Sequence, residues 1–304
     1  MREKSMRKLT HLERKEAIEF YLFISPWIIG VLVFLLYPML SSLYFSFTRY
    51  EIGGKPSWIG FDNYTDMFSD PRYINSIQVT FKFAFISVIG VTLLALLLAL
   101  ILSQALRGIN FFRTVYFMPS VMPMVAVSLT WFYILRPDTG PLAGMLAWFG
   151  IEGPRWLGEA QWALPALMGI NIWISFGSQM VIFLAGIKGI PKELYEVAEI
   201  DGAGAWAKLW NVTLPLLTPT IFLNLVLGII GAMQVFDIPW VMTEGGPSDA
   251  TRTYMIHLYN KGWVQLQMGS ASAMGWILFL IIMAITLLVV RSSQAWVYYE
   301  GERQ

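Results

Sequence analysis

The sequence predicts an all-α integral membrane protein, six transmembrane helices carrying a two-helix loop on the cytoplasmic side, and three observations predict it. Of 304 residues, 56% are hydrophobic and 13% charged, with a mean hydropathy of +0.58, more apolar surface than one soluble core can hide. Six charge-poor runs have about the length that crosses ~30 Å of hydrocarbon. Between the fourth and fifth runs stands a polar, acidic stretch, Glu196 to Pro215, with the pattern of two short helices.

The first run, Phe20 to Phe47, follows a segment at 1–19. It is far longer than the roughly 7 to 15 residues of a secretory signal core, so it is expected to persist as a helix, kinked at Pro38. Phe83 to Leu102, Val115 to Leu135, Trp162 to Ile187 and Pro219 to Phe236 supply the next four. Gly269 to Val290 is the sixth, where Gly269, Ala271, Ala273 and Gly275 form a small-residue face suited to close backbone packing. Residues 20–290 make one membrane domain, with the loop at 188–215 inside it and a tail at 291–304.

An even number of spans puts both termini on one side, and Lys and Arg choose which. The amino end carries Arg2, Lys4, Arg7, Lys8, Arg14 and Lys15, and the second-to-third connection Arg107 and Arg113. With Lys188, Lys192, Lys208, Arg291 and Arg303 that side holds thirteen, against seven on the other. Both termini and the Glu196 loop are therefore expected in the cytoplasm.

Within the loop, Pro191 has the preset dihedral of a helix start, and Gly202 suits a left-handed stop after Asp201. Leu194, Val197, Ala198 and Asp201 share one mostly apolar face, while Glu193, Glu196 and Glu199 keep carboxylates off it. Ala203 to Asn211 then gives two turns with Trp206, Leu209 and Trp210 at helical spacing, before Leu214 and Pro215 open the next span. Those aromatics either rest on lipid headgroups and neighbouring helices or dock a partner; the physics alone weighs the two evenly.

Several chemistries are missing. Gly54-Lys55-Pro56 lacks the earlier glycine and the hydroxyl of a phosphate loop, and GxSxG, HExxH and EF-hand patterns do not occur. His11 and His257 stand apart in different loops and are expected to be ordinary surface residues, so no metal site is expected. Without cysteine there is no thiol or disulfide chemistry. No cofactor is expected in this chain, and with a net charge of +1 no nucleic-acid partner.

Polar residues inside the apolar runs remain: Asn171, Gln179, Asn224, Gln234, Ser270 and Ser272. Polar side chains in hydrocarbon face other helices or a watery path, so they are candidates to line a transport route, with helix-to-helix hydrogen bonding as the rival role. Gln234 is the first choice, because the run after it closes in Gly245-Gly246-Pro247 at the outer side with Asp237 near the boundary. Trp131, Tyr133, Trp173 and Trp240 are candidate rings for stacking on a sugar, although most Trp and Tyr in such a chain belong to interface belts.

At the loop the sequence resembles the cytoplasmic EAA loop of permease subunits of bacterial ABC importers. Glu196, Ala198, Asp201 and Gly202 fit its pattern, Val212, Leu214 and Pro215 fall at the expected spacing, and Val197 stands where an alanine is usual. Arg107 to Pro123, Ile134 to Ile151 and Gly269 to Leu280 are similar to the corresponding parts of carbohydrate permeases of the maltose and glycerol-phosphate type. Ser25 to Pro38 and the short tail resemble the first of the two paired permeases. The resemblance implies a type I ABC importer permease fold in a bacterial or archaeal inner membrane, surrounded by lipid. It implies a second, different permease, a dimer of ATPase subunits that bind ATP and magnesium, and an extracytoplasmic solute-binding protein for a sugar or polyol. Glu196, Trp206, Leu209 and Trp210 would then seat in an ATPase cleft. A secondary transporter or channel for a small polar solute is the other class; it usually needs ionisable groups near mid-membrane, and only Lys82 and Asp237 come close.

Overall fold

The computed structural model of the chain describes residues 11–104 and 107–298, most of them helical. The basic residues at positions 2–8 and Arg303, on which the orientation partly rests, lie outside the described residues. Five helices are long and apolar enough to cross a membrane, and a pair bent by 97° makes a sixth crossing.

The first span is longer than its apolar run. Helix α1 (His11–Val31) passes through a π turn at Leu32–Leu36 into α2 (Tyr37–Ser46), so it begins inside the segment expected to precede it. Pro38 lacks an amide hydrogen, and the wider turn falls just before it, where the helical ladder has to adjust. None of this helix's apolar window is buried; Phe23 is 87% and Phe34 81% exposed, as suits a surface that meets lipid or another chain.

A two-strand hairpin, β1 (Thr48–Arg49) with β2 (Ser57–Trp58), and α3 (Asp62–Ser69) cap this end. Asn63 ties them together: its amide nitrogen donates to the carbonyls of Ser46 and Thr48, each at 2.9 Å, and its oxygen accepts from Ser270 at 3.0 Å. Ser270, a candidate for the transport route, is thus committed to holding α14 (Met268–Trp296) against the hairpin. The small-residue face of α14 has the packing role expected of it, since a Cβ on Gly269 would fall 2.1 Å from the Thr48 carbonyl. That helix also continues beyond Val290 into the region assigned to the tail.

Helix α4 (Pro71–Leu102) starts well before the predicted Phe83, with Asp70 accepting the Arg72 amide at 2.9 Å and proline at the first position. The predicted third span is not one helix. It breaks between α5 (Ile109–Phe117) and α6 (Met124–Ile134) through a single 3-10 turn, Met118–Val121. Pro119 and Pro123 each remove a ladder donor, and Pro123 pushes Met122 into an extended conformation, ψ 144°.

Short helix α7 (Pro141–Trp148) leads to α8 (Ala160–Gly189). Two helices of the loop follow, α9 (Lys192–Ile200) and α10 (Ala205–Lys208). The next span opens at Leu214 and Pro215 as expected, and the chain enters it without a break. It runs from α10 through a π turn, Leu209–Thr213, into α11 (Leu214–Met233) and, after a kink, α12 (Asp237–Thr243). Helix α13 (Tyr254–Tyr259) precedes α14.

The core lies where α4, α8, α11 and α14 meet. Val91, Ala95 and Ala99 pack on Phe176, Met180, Phe183 and Leu184, while Ala84 and Val88 pack toward Met274 and Leu278. Glycines bring α8 close to its neighbours: a Cβ on Gly177 would fall 2.6 Å from the Tyr116 carbonyl and one on Gly186 2.5 Å from the Thr220 hydroxyl.

His257 on α13 corrects a sequence expectation, because it is buried, 4% exposed, rather than a surface residue. The Asp70 carboxylate approaches it at 3.8 Å and Lys261 at 3.7 Å, while Asp249 bridges Arg72 and Arg252. Burial pushes the imidazole pKa down to about 4, a shift that Asp70 opposes and that Lys261 and Arg252 reinforce.

Two predictions follow from this packing. Asn63→Ala strands the carbonyls of Ser46 and Thr48 and the Ser270 hydroxyl, and should lower the thermal midpoint of the detergent-purified protein by the equivalent of ~2–4 kcal/mol. Because His257 is neutral when folded and takes a proton when unfolded below pH 6.5, its contribution disappears as pH falls from 6.5 toward 4. About 2 kcal/mol should be lost between pH 6.5 and 5, read as a falling midpoint that flattens in His257→Gln.

Candidate functional site

Two places concentrate the residues that sequence reasoning singled out. The first is the loop between α8 and α11. Helix α9 ends as expected: Gly202 adopts φ +79°, and its amide and that of Ala203 close on the carbonyls of Glu199 and Ala198 at 3.0 and 2.8 Å. A Cβ on Gly202 would meet nothing within 4 Å, so the backbone conformation alone asks for glycine.

Only part of the apolar face of α9 turns inward. Tyr195 and Ala198 are its half-buried residues, while Leu194, Val197 and Ile200 are exposed at 39%, 56% and 85%. Tyr195, which the periodicity argument passed over, donates or accepts a 3.0 Å hydrogen bond with the Thr213 hydroxyl. Glu199 pairs with Lys208 on α10. Trp206 and Trp210 stack edge to face with centroids 5.9 Å apart and remain 72% and 55% exposed, while Leu209, Leu214 and Pro215 are half-buried at the root of α11. Exposed Glu196 and Asp201 flank these apolar groups. The loop thus exposes a valine, an isoleucine and two indoles together with carboxylates. Single exposed apolar residues are ordinary, but a contiguous set on a polar loop marks a contact surface.

The second place is a cavity of about 440 Å³ between α4, α8, α11 and the break in the third span. Asn171, Gln179, Asn224 and Gln234 all line it, so four of the six transport candidates share one chamber. Each arrives by a separate cause. Asn171 and Gln179 stand two turns apart on α8, and Gln234 sits at the kink where α11 ends. Gln179 donates from its amide to the Asn224 carbonyl at 3.3 Å, lying over Gly228, where a Cβ would be 3.1 Å away. Asn224 is fully buried, and both atoms of its side-chain amide lack a hydrogen-bond partner among the described residues.

Trp173 and Ser272 lie outside this lining: Trp173 packs edge to face on Trp131 at 5.5 Å, and Ser272 is on the half-buried side of α14. The ring at the chamber is Phe236, stacked on Trp240 at 5.6 Å beside Tyr259. Sequence reasoning also missed Ser87, Ser120, Ser175 and Ser178, which add hydroxyls to the wall. Ser87 is 1% exposed and, like Asn224, unpartnered among the described residues. A signal for Ser120 was present in the prolines around it, which open the helix where it points to the chamber. Asp237 is the one ionisable lining residue of the cavity. Among the described residues no group of His, Asp or Glu is placed to hold a metal ion.

Comparison with known proteins agrees with this arrangement. Residues 91–298 match the family described as binding-protein-dependent transport system inner membrane component. The chain is 40% identical over 96% of its length to the probable ABC transporter permease protein YesP of Bacillus subtilis, covering 95% of that protein. It is 33% identical over 92% of its length to the trehalose/maltose transport system permease protein MalF of Thermococcus litoralis, covering 95% of it. A solved structure of a bacterial alginate ABC transporter, in complex with an alginate pentasaccharide-bound periplasmic protein, contains a chain that superimposes with a TM-score of 0.84. That match spans 92% of this chain and 96% of the other, at 26% identity. The six crossings, the exposed loop helices and the polar chamber therefore belong to a multi-pass permease of the inner membrane, and the chain is a member of the binding-protein-dependent transport system inner membrane component family.

Proposed function

We propose that this permease forms one half of the pathway of an ATP-driven importer for a sugar or related polyol. The observation that carries the proposal is Asn224: a fully buried amide with no partner among the described residues, on the wall of a 440 Å³ chamber rich in amides and hydroxyls. An unsatisfied buried amide costs about 1–3 kcal/mol, which a passing solute with many hydroxyls recovers by hydrogen bonding. Phe236 offers an apolar face of the kind sugars stack on.

The relatives support this class of cargo, since their names specify trehalose, maltose and alginate. A solute-binding protein on the outer side delivers the cargo, as the family description and the alginate complex suggest. A second, different permease completes the chamber. An ATPase pair binds ATP and magnesium and meets the exposed surface of Val197, Ile200, Trp206 and Trp210, with Glu196 facing a basic group of the ATPase. This assignment places the loop and both termini in the cytoplasm, as the charge count expects, and leaves this chain without a cofactor of its own.

Two experiments test the proposal on the importer purified with all its subunits and reconstituted in vesicles. Asn224→Leu keeps the volume and removes the orphan amide, so solute uptake should fall at least tenfold while thermal stability holds or rises; intact uptake would contradict the role of the chamber. Gly202→Val forces a branched side chain to φ +79°, at ~1–2 kcal/mol, and Glu196→Lys reverses the charge at the contact. Each should abolish co-purification of the ATPase while membrane insertion persists. Full uptake by either variant, or uptake by this chain alone, would rule out the docking role.

A further inference from the structure

Helix α9 is joined to the rest of the chain by two weak links. Ile190 and Pro191 are extended on one side, and Asp201 to Gly204 turn on the other. A short helix hung on such links would swivel if pushed. Two side-chain contacts prevent this. Tyr195 stands on the face that α9 turns inward, and Glu199, one turn further on, is exposed at its edge. Tyr195 meets Thr213 at 3.0 Å, and Glu199 pairs with Lys208.

Lys208 and Thr213 are not neighbours by the rules of an ordinary helix. They flank the π turn Leu209–Thr213, whose wider spacing brings residues five apart into register. The Thr213 hydroxyl reaches the Lys208 carbonyl at 3.4 Å, which leaves its lone pairs to accept from Tyr195. The π turn thus presents two handles to α9 at once. Thr213 is 6% exposed, so the Tyr195 contact is shielded, whereas the Glu199 side chain is 67% exposed and its pair with Lys208 is the weaker of the two points.

Beyond the clamp the chain is continuous helix. From Trp206 to Gln234 the path through α10, the π turn and α11 is roughly 40 Å long at 1.5 Å per residue, and its far part carries Asn224, Gly228 and Gln234 into the chamber.

We propose that Tyr195, Thr213, Glu199 and Lys208 form a two-point clamp that fuses α9 to the base of α11, so that a push on Ile200 and Trp206 reaches the chamber as movement of one rigid lever. Tyr195 and Lys208 are positioning residues: they touch neither solute nor the proposed ATPase face, and they act by fixing the angle between that face and α11. The clamp rests on the ATP-driven reading above, and it adds a definite prediction. Loosening it lets ATP be hydrolysed without solute moving.

The test compares Tyr195→Phe, Lys208→Ala and the double variant with the unaltered importer, with all subunits in vesicles and the loaded binding protein supplied. Solute taken up and ATP hydrolysed are measured on the same sample. The double variant should assemble normally and keep its ATPase rate within twofold, while solute per ATP falls fivefold or more. Exchanging the charges, Glu199→Lys with Lys208→Glu, should restore most of the loss caused by Lys208→Ala. A normal ratio in the double variant overturns the clamp. So does loss of the assembled complex, since the contacts would then serve folding alone. If the unaltered importer shows no solute-dependent ATPase at all, the functional assignment fails rather than the clamp, and the two failures are told apart.

Discussion

In hydrocarbon an unpaired backbone amide or carbonyl costs several kcal/mol, and this constraint explains where the chain departs from regular helix. The break at Met118–Pro123 and the kink at Gln234–Phe236 both open onto the same chamber, where protein and a passing solute rather than lipid meet the freed groups. Two of the three π turns among the described residues, Leu32–Leu36 and Leu209–Thr213, precede Pro38 and Pro215, positions where the missing proline donor would otherwise leave a gap in the ladder. The polar chamber exists because two crossings are interrupted at matching depth.

Glycine sets how tightly the uninterrupted helices enclose that chamber. Gly177 lets the broken span lie on α8, Gly186 and Gly228 let α11 do so, and Gly269 seats α14 under the hairpin. The amides of Gln179 and Asn224 are consequently held between helices that cannot draw apart without losing packed apolar surface. One of them spends its hydrogen bonds on the protein, and the other is buried without a partner among the described residues.

Much of this was legible in the chain because its signals are covalent or local. Gly202 announced a left-handed turn, and Phe83 to Leu102 announced a buried crossing. The chamber's four amides stood out because polar groups are rare in such runs. What stayed hidden depends on direction in space. Ser270 and Asn224 look alike in sequence, yet one bonds Asn63 and the other is buried with no partner among the described residues. Periodicity put Leu194, Val197 and Ala198 on one apolar face of α9 but not its direction; the helix turns Tyr195 and Ala198 inward, where Tyr195 meets Thr213. His257 gave no hint of burial, since the Asp70 carboxylate that approaches it comes from a distant segment. Trp173 was favoured as a sugar platform over Phe236 by residue type alone; the kink after α11 decided otherwise.

The central claim is that motion applied at the loop is carried rigidly by α11 into the chamber. The absence of cysteine makes it directly measurable, because spin labels can be placed without background. Distances are read by pulsed electron resonance in the assembled importer, for one pair at Val197 and Thr218 and a second spanning the chamber from Leu227 to the facing permease. Between the nucleotide-free and ATP-bound states the first distance should stay constant within about 2 Å while the second changes by more than that. A first distance that changes while the chamber distance does not would contradict the account.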